Sequence, residues 1–256
     1  MTLLEVAGVE RRFGGLLAVS DLSFSVEAGA IKAVIGPNGA GKTTLFNMIA
    51  GITPVSAGQI RLRGERIDHL RPYRRVERGI ARTFQNLQIF RDLTVLENVM
   101  VGRHSRTGSG LLGALLQTPA AHREERRIEE AAFAQLERLG LAQRAADKAG
   151  DLSFGECKIL EIARALAAEP DLLLLDEPIA GVPHGEVDRI CDLIRGLNAD
   201  GLTVLLVEHN MRMVMRMSHS ILVLNYGRKI AEGTVDEVRH DPAVLEAYLG
   251  EPEDVA

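Results

Sequence analysis

A run of strand-favouring residues, Ile31 to Ile35, is broken by Gly36-Pro37-Asn38-Gly39-Ala40-Gly41 and followed at once by Lys42-Thr43-Thr44-Leu45-Phe46-Asn47-Met48-Ile49-Ala50. That last stretch reads as a helix, stopped by Gly51 and, three residues later, by Pro54. Strand, glycine loop and helix in this order commit the region to an α/β unit. Strand signals return at Leu172 to Leu175, Thr203 to Val207 and Ile221 to Leu224. Between the first two lies a helical pattern with Val187, Ile190, Ile194 and Leu197 at spacings of three, four and three. Such alternation predicts a buried, parallel sheet.

The first third is different. Leu3 to Val9, Leu22 to Val26 and Gln59 to Arg63 are short β-like runs punctuated by Gly29 and Gly58. From Thr94 to Gly150 the pattern is helical, with a loop at Thr107-Gly108-Ser109-Gly110 and Ile128, Ala132, Leu136 and Leu139 on one face. The simplest architecture is an α/β core interrupted by a helical lobe of about 60 residues. No internal repeat or low-complexity segment is visible.

At 256 residues the chain can bury a full core. Its net charge of -5 argues against a polynucleotide partner, which calls for a basic excess or stripe. The two cysteines, Cys157 and Cys191, form no CxxC pair and have no histidine at zinc spacing, so a reducing cytoplasm fits best. Met1 to Val6 reads as a strand rather than an export signal, and no apolar run approaches the roughly 20 residues of a membrane span. A role at a membrane would therefore run through a partner.

Gly36 to Thr43 matches GxxxxGK[ST]. Its glycines let backbone N–H groups approach phosphates, Lys42 reaches the β and γ groups, and Thr43 can ligate Mg²⁺. Asp176 follows four leucines, where a buried strand would deliver a carboxylate near the metal at the sheet's C-terminal edge. Glu177, one residue on, can polarise an attacking water. Leu152-Ser153-Phe154-Gly155-Glu156, taken alone, is a capped helix start, with Ser153 followed three residues later by Glu156.

Together these motifs make the chain resemble the nucleotide-binding subunit of an ATP-binding-cassette transporter, over essentially its whole length. The resemblance implies a P-loop NTPase core with a mainly parallel sheet, an N-terminal antiparallel β subdomain and an inserted α-helical subdomain. It implies one nucleotide-binding domain over residues 1–256, with 1–86 and 151–256 as catalytic core and 87–150 as helical lobe. Gly36, Pro37, Asn38, Gly39, Ala40, Gly41, Lys42, Thr43 and Thr44 would then hold ATP. Leu152 to Glu156 would be the signature whose Ser153 and Gly155 reach the γ-phosphate bound by a second ATPase subunit, so that two chains sandwich two nucleotides. Gln85 resembles the glutamine that senses Mg²⁺ and water, and His209 the switch histidine that contacts the γ-phosphate. Phe13 resembles the aromatic that stacks on adenine. For the other six histidines an ordinary surface or core place is expected.

Within that family, several segments are similar to the branch serving branched-chain amino acid importers. They are Arg12-Phe13-Gly14-Gly15-Leu16, Ala81 to Asn86, the insert from Gly102 to Ala121, Glu208 to Met211 and the ending Glu246-Ala247-Tyr248-Leu249-Gly250. ATPases for urea, other amino acids or lipopolysaccharide resemble the pattern too, and a non-transport ATPase is a further alternative. The implied partners are integral-membrane permeases and, indirectly, a periplasmic or extracellular substrate-binding protein, with the chain peripheral on the cytoplasmic face. Two departures stand out. Pro183 occupies the position where most members carry an Asp or Asn that crosses the dimer, and Glu156-Cys157 replaces the common Gln and polar residue of the signature, which bears on partner contacts. Met211, Met213, Met215 and Met217 are read as a packed helix, and Leu111, Leu112, Leu115 and Leu116 as either a docking face or lobe packing.

Overall fold

The computed structural model describes residues 1–84, 87–103 and 119–249. Gln85 and the four leucines from Leu111 to Leu116 lie outside the described residues. In chain order the elements begin β1 (Thr2–Phe13), β2 (Leu16–Glu27), β3 (Ile31–Ile35), α1 (Lys42–Ala50), β4 (Ala57–Leu62), β5 (Glu65–Arg66), α2 (Pro72–Glu77) and β6 (Ile80–Arg82). Next come α3 (Val95–Gly102), α4 (Pro119–Arg138), α5 (Phe154–Leu166), β7 (Leu172–Asp176), α6 (His184–Ala199), β8 (Thr203–Val207), α7 (Met211–Met217), β9 (Ser220–Asn225), β10 (Arg228–Gly233), α8 (Val235–Arg239) and α9 (Pro242–Leu249).

The strands form an antiparallel sheet of order β2-β1-β4-β5 and a mixed, mostly parallel sheet of order β10-β9-β3-β8-β7-β6. This is the fold expected from the sequence. β3, β7 and β8 are buried at every position, as strands covered on both faces must be. β1 and β2 run further than the sequence suggested, because the polar Arg11 and Arg12 are held by backbone pairing to Val19 and Leu17. β10 escaped the sequence reading altogether: Arg228-Lys229-Ile230-Ala231-Glu232-Gly233 has no apolar alternation, and it pairs antiparallel at the edge beside β9.

The chain divides into two compact units, Met1–Arg75 with Leu174–Glu177 and Ile194–Ala256, and Val76–Leu173 with Pro178–Leu193. The first is built around β1 to β5, β8 to β10 and α1, whose Leu45, Phe46, Met48 and Ile49 are buried. The second is mainly helical. There Ala132, Leu136 and Leu139 are buried as their spacing predicts, and Ile128 is half-buried. Ile190, Ile194 and Leu197 likewise bury one face of α6. Met213 and Met217 are buried in α7, so that methionine series packs as a core face.

Candidate active site

Steric crowding requires glycine at two positions of the phosphate-loop sequence. At Gly36 (φ 147) an added Cβ would stand 2.0 Å from the Leu224 carbonyl oxygen, and at Gly41 (φ 98) 2.8 Å from that of Ala18. The β9–β10 turn clamps the loop, since the Gly227 N–H donates to the Ala40 carbonyl at 3.0 Å. Asn38, Gly39 and Thr43 are exposed, while Pro37 and Thr44 are half-buried. Lys42 is buried, and its Nζ donates to the carbonyls of Gly36 (2.5 Å) and Pro37 (2.8 Å).

α1 starts at Gly41 in a left-handed conformation, with no side-chain cap and no acidic residue in its first turn. By contrast α3, α5 and α8 each carry a full capping box with Glu at the third position. An uncapped helix start keeps N–H donors and the positive end of the helix dipole for an anion.

In the same unit β7 ends at Asp176, which is only 2% exposed. Glu177 follows in the left-handed region at φ 50, its N–H donating to Val207 at 3.0 Å. A glutamate in that conformation is strained and persists only where its surroundings fix it. Its Oε1 lies 2.5 Å from Nε2 of His209, a half-exposed imidazole, while the Glu177 side chain is largely covered. Sequence reasoning missed what holds His209. The buried Glu208 accepts the N–H groups of His209 (3.1 Å) and Asn210 (3.4 Å), and Asn210 caps α7 by accepting from the Met213 N–H. The cap was findable from an Asn before a helical run.

Phe13 sits at the tip of the β1–β2 hairpin and is 46% exposed, with the Arg11 guanidinium 4.4 Å from its ring centre. A lone aromatic left this open is available for stacking.

For Mg²⁺, the donors among the described residues are oxygens, the Thr43 hydroxyl and the Asp176 carboxylate. The described residues hold no cluster of three or more His, Cys, Asp or Glu side chains able to cage a metal. That sparse oxygen set fits Mg²⁺, which keeps waters and borrows phosphate oxygens rather than entering an all-protein cage.

Ser153 and Gly155 belong to the second unit. Ser153 is the N-cap of α5. Its Oγ accepts from the Glu156 N–H at 3.2 Å, and the Glu156 carboxylate accepts from the Ser153 N–H at 2.9 Å. Glu156 is in turn paired with Arg144 at 3.2 Å. At Gly155 a Cβ would fall 1.7 Å from a Glu186 carboxylate oxygen. Cys157 is 6% exposed and turned toward the Ala149 and Leu152 carbonyls, where burial pushes its thiol pKa up. The departure at Pro183 places it just ahead of α6, its carbonyl accepting from the Glu186 N–H at 2.9 Å.

A glycine loop feeding an uncapped helix, with a strand-end Asp-Glu pair and a histidine on the Glu, defines a nucleotide-hydrolysing cassette. The chain belongs to the ABC transporter family, whose sequence profile matches residues 19–180. A second profile, described as branched-chain amino acid ATP-binding cassette transporter, matches residues 228–254. The chain is 43% identical to the high-affinity branched-chain amino acid transport ATP-binding protein BraF of Pseudomonas aeruginosa, over 97% of this chain and 98% of that protein. It is 42% identical to the corresponding LivG of Salmonella typhimurium, with the same coverage. Among solved structures, a nucleotide-free ATP-binding cassette from an ABC transporter superposes with a TM-score of 0.86 at 36% identity, covering 98% of this chain and 100% of that one. The ADP conformation of an ATP-binding cassette of an ABC transporter gives the same TM-score, identity and coverage. This chain is thus an ABC transporter ATPase that binds ATP, couples its hydrolysis to transport, and forms part of a complex with permease subunits. Among the described residues, no helix is long and apolar enough to cross a membrane.

Proposed function

We propose that this chain powers an importer of branched-chain amino acids from the cytoplasmic face of the cell membrane, as a peripheral subunit that hydrolyses Mg²⁺-bound ATP to ADP and phosphate. The observation that carries the reading is Glu177, held at φ 50 with its carboxylate 2.5 Å from His209, in the unit that also contains the uncapped α1. The cargo assignment is supported by full-length similarity to ATP-binding proteins of that transport class.

In this reading Lys42 exchanges the Gly36 and Pro37 carbonyls for β- and γ-phosphate oxygens, and the N–H groups opening α1 hold the phosphate charge. Phe13 stacks on the adenine. Thr43, Asp176 and Gln85 would hold Mg²⁺, which would offset charge developing on the phosphates. Glu177 takes a proton from the attacking water, and His209 orients that carboxylate and contacts the γ-phosphate. Ser153 and Gly155 serve the nucleotide of a second ATPase subunit, identical or closely related. A Ser153 oxygen that accepts from Glu156 keeps its own O–H to donate to phosphate. Residues 1–256 act as one nucleotide-binding domain, core 1–86 and 151–256, with the lobe 87–150 passing the motion to the permeases. A substrate-binding protein outside the membrane delivers the cargo.

Glu177→Gln is expected to bind ATP, to lose at least about a hundredfold in turnover, and to elute as a dimer in ATP. Wild-type turnover in that variant would refute the base assignment. A mixture of Lys42→Ala and Ser153→Arg chains should recover ATP-driven pairing that neither shows alone; no pairing would count against the sandwich.

A further inference from the structure

Glu161 is a buried charge on α5 that the proposed chemistry leaves unused. It is 2% exposed and lies among the buried Leu160, Ile162 and Ala163, where an aliphatic side chain would pack as well. A carboxylate there costs several kcal/mol unless it is paired. It has partners: Oε1 accepts the Gln88 N–H at 2.8 Å, and Arg164 stands 3.9 Å away. Burial pushes its pKa up, with the Gln88 N–H, Lys158 and Arg164 acting against that rise.

Gln88 opens a segment that is pinned along its length. The Asn98 side chain, fully buried in α3, accepts from the Phe90 N–H at 2.9 Å and donates to the Phe90 carbonyl at 3.0 Å. The Gly150 N–H donates to Arg91 and the Ala149 N–H to Leu93, at 3.1 and 2.9 Å. So the stretch from Gln88 to Leu93 is held from α3, from the turn leading into Ser153, and from α5 itself. A Gly102 Cβ would lie 2.0 Å from the Arg164 carbonyl, so α3 and α5 also touch backbone to backbone. All of these residues belong to the second unit.

We propose that Glu161 is a positioning residue for ATP hydrolysis: its bond to the Gln88 N–H fastens the segment that follows Gln85 to the helix capped by Ser153, so that the two move as one body. This rests on the roles given above to Gln85 and Ser153. Through that bond, the element sensing one nucleotide is mechanically continuous with the element reaching the other.

The test is steady-state Mg²⁺·ATP hydrolysis by the full chain, with thermal unfolding recorded alongside. Glu161→Ala should lower kcat about tenfold while KM for ATP stays within about twofold. Glu161→Gln keeps an acceptor oxygen and should restore most of kcat. Gln88→Pro removes the same N–H from the other side, and combining it with Glu161→Ala should cost no more than either change alone. Wild-type kcat in Glu161→Ala, multiplying losses in the double variant, or a Gln variant as slow as Ala would each overturn the proposal. If Glu161→Ala does not fold, Glu161→Gln and Gln88→Pro decide it: near wild-type kcat for the first and a loss of kcat alone for the second are expected, and any other pair of results overturns it. A wild-type chain without ATPase activity would sink the functional reading instead, whereas an active wild type with an unaffected Glu161→Ala sinks this inference alone.

Discussion

Arg75→Met should loosen the far end of the phosphate-loop helix. Arg75 is 1% exposed, and its guanidinium donates to the carbonyls of Met48 (2.6 Å) and Ile49 (2.8 Å) in the last turn of α1, and to those of Asp68 (2.9 Å) and Leu70 (3.1 Å). Burial pushes its pKa down to about 10, with Asp68 acting against the fall, so it remains charged at neutral pH. Gly51, which ends α1 at φ 80, makes room for it: a Cβ there would stand 2.7 Å from Arg75 Nε. Methionine fills the stem volume and donates nothing. Hydrogen bonds from a charged donor are worth about 1.5–3 kcal/mol each, but removing the guanidinium also recovers its desolvation cost, leaving a net loss of about 3 kcal/mol. At about 2–4 °C per kcal/mol for a chain of this size, melting should fall by about 6–12 °C. Thermal unfolding followed by circular dichroism at neutral pH, with and without Mg²⁺·ATP, measures it. The stabilisation by saturating ATP should survive, about 2.7 kcal/mol at a hundredfold excess over Kd, because the loop amides at the other end of α1 are untouched. A variant melting within about 2 °C of wild type would refute the account. Loss of the ATP effect at unchanged melting would mean that Arg75 acts on the loop instead.

Gly36→Ala must displace the loop from the Leu224 carbonyl at a cost of about 1–3 kcal/mol; equilibrium binding should show ATP affinity lowered at least about fivefold, and unchanged affinity would defeat the steric argument. Ser153→Ala breaks the capping box of α5 and should cost about 1 kcal/mol in a denaturant melt, lowering turnover while leaving the chain's own ATP binding intact; a parallel loss of binding would contradict the trans role. Glu232 supplies the pH dependence. Burial raises its carboxyl pKa, but Lys229 and Lys32 outweigh that and hold it below the usual value of 4.5. A depressed carboxyl pKa contributes stability that is fully present above the unfolded pKa and is lost as pH falls through the folded one. The melting gap between wild type and Glu232→Gln should therefore be widest at pH values above the ordinary carboxylate range and close as pH falls below it; a gap constant with pH would refute it.

The elements around the loop were legible because their residues do one job each. Ile31 to Ile35 and Thr203 to Val207 are buried throughout, so apolarity alone marks both strands. What stayed hidden were polar residues whose partners come from far along the chain. Arg75 looks no different from Arg71, Arg74 and Arg78 in sequence, yet it alone of the four is buried, against carbonyls 26 and 27 residues away. Glu161 gives no signal because its partner is a backbone N–H 73 residues distant. Glu208 passes for a loop residue although it holds His209. Periodicity reports the face a residue takes, and it is silent on a charge whose burial is compensated by backbone.

Capping chemistry distinguishes the two helix starts that are proposed to meet phosphate. α3, α5 and α8 supply their own anion at the first turn, through Glu97, Glu156 and Glu237, whereas α1 supplies none, which leaves the positive end of its dipole open to the phosphates proposed to bind there. α5 presents the harder case, because Glu156 places a carboxylate beside the Ser153 that is proposed to meet a γ-phosphate, where the family commonly has an uncharged Gln. Arg144 eases the conflict. Its guanidinium pairs with both Glu156 oxygens at 3.2 and 3.4 Å, including the one that accepts from the Ser153 N–H, so the charge of the acid is partly offset while its capping bond is kept; Asp147 shares the same guanidinium, so the group as a whole stays acidic. The sequence departure at Glu156 is thus partly compensated within its own unit.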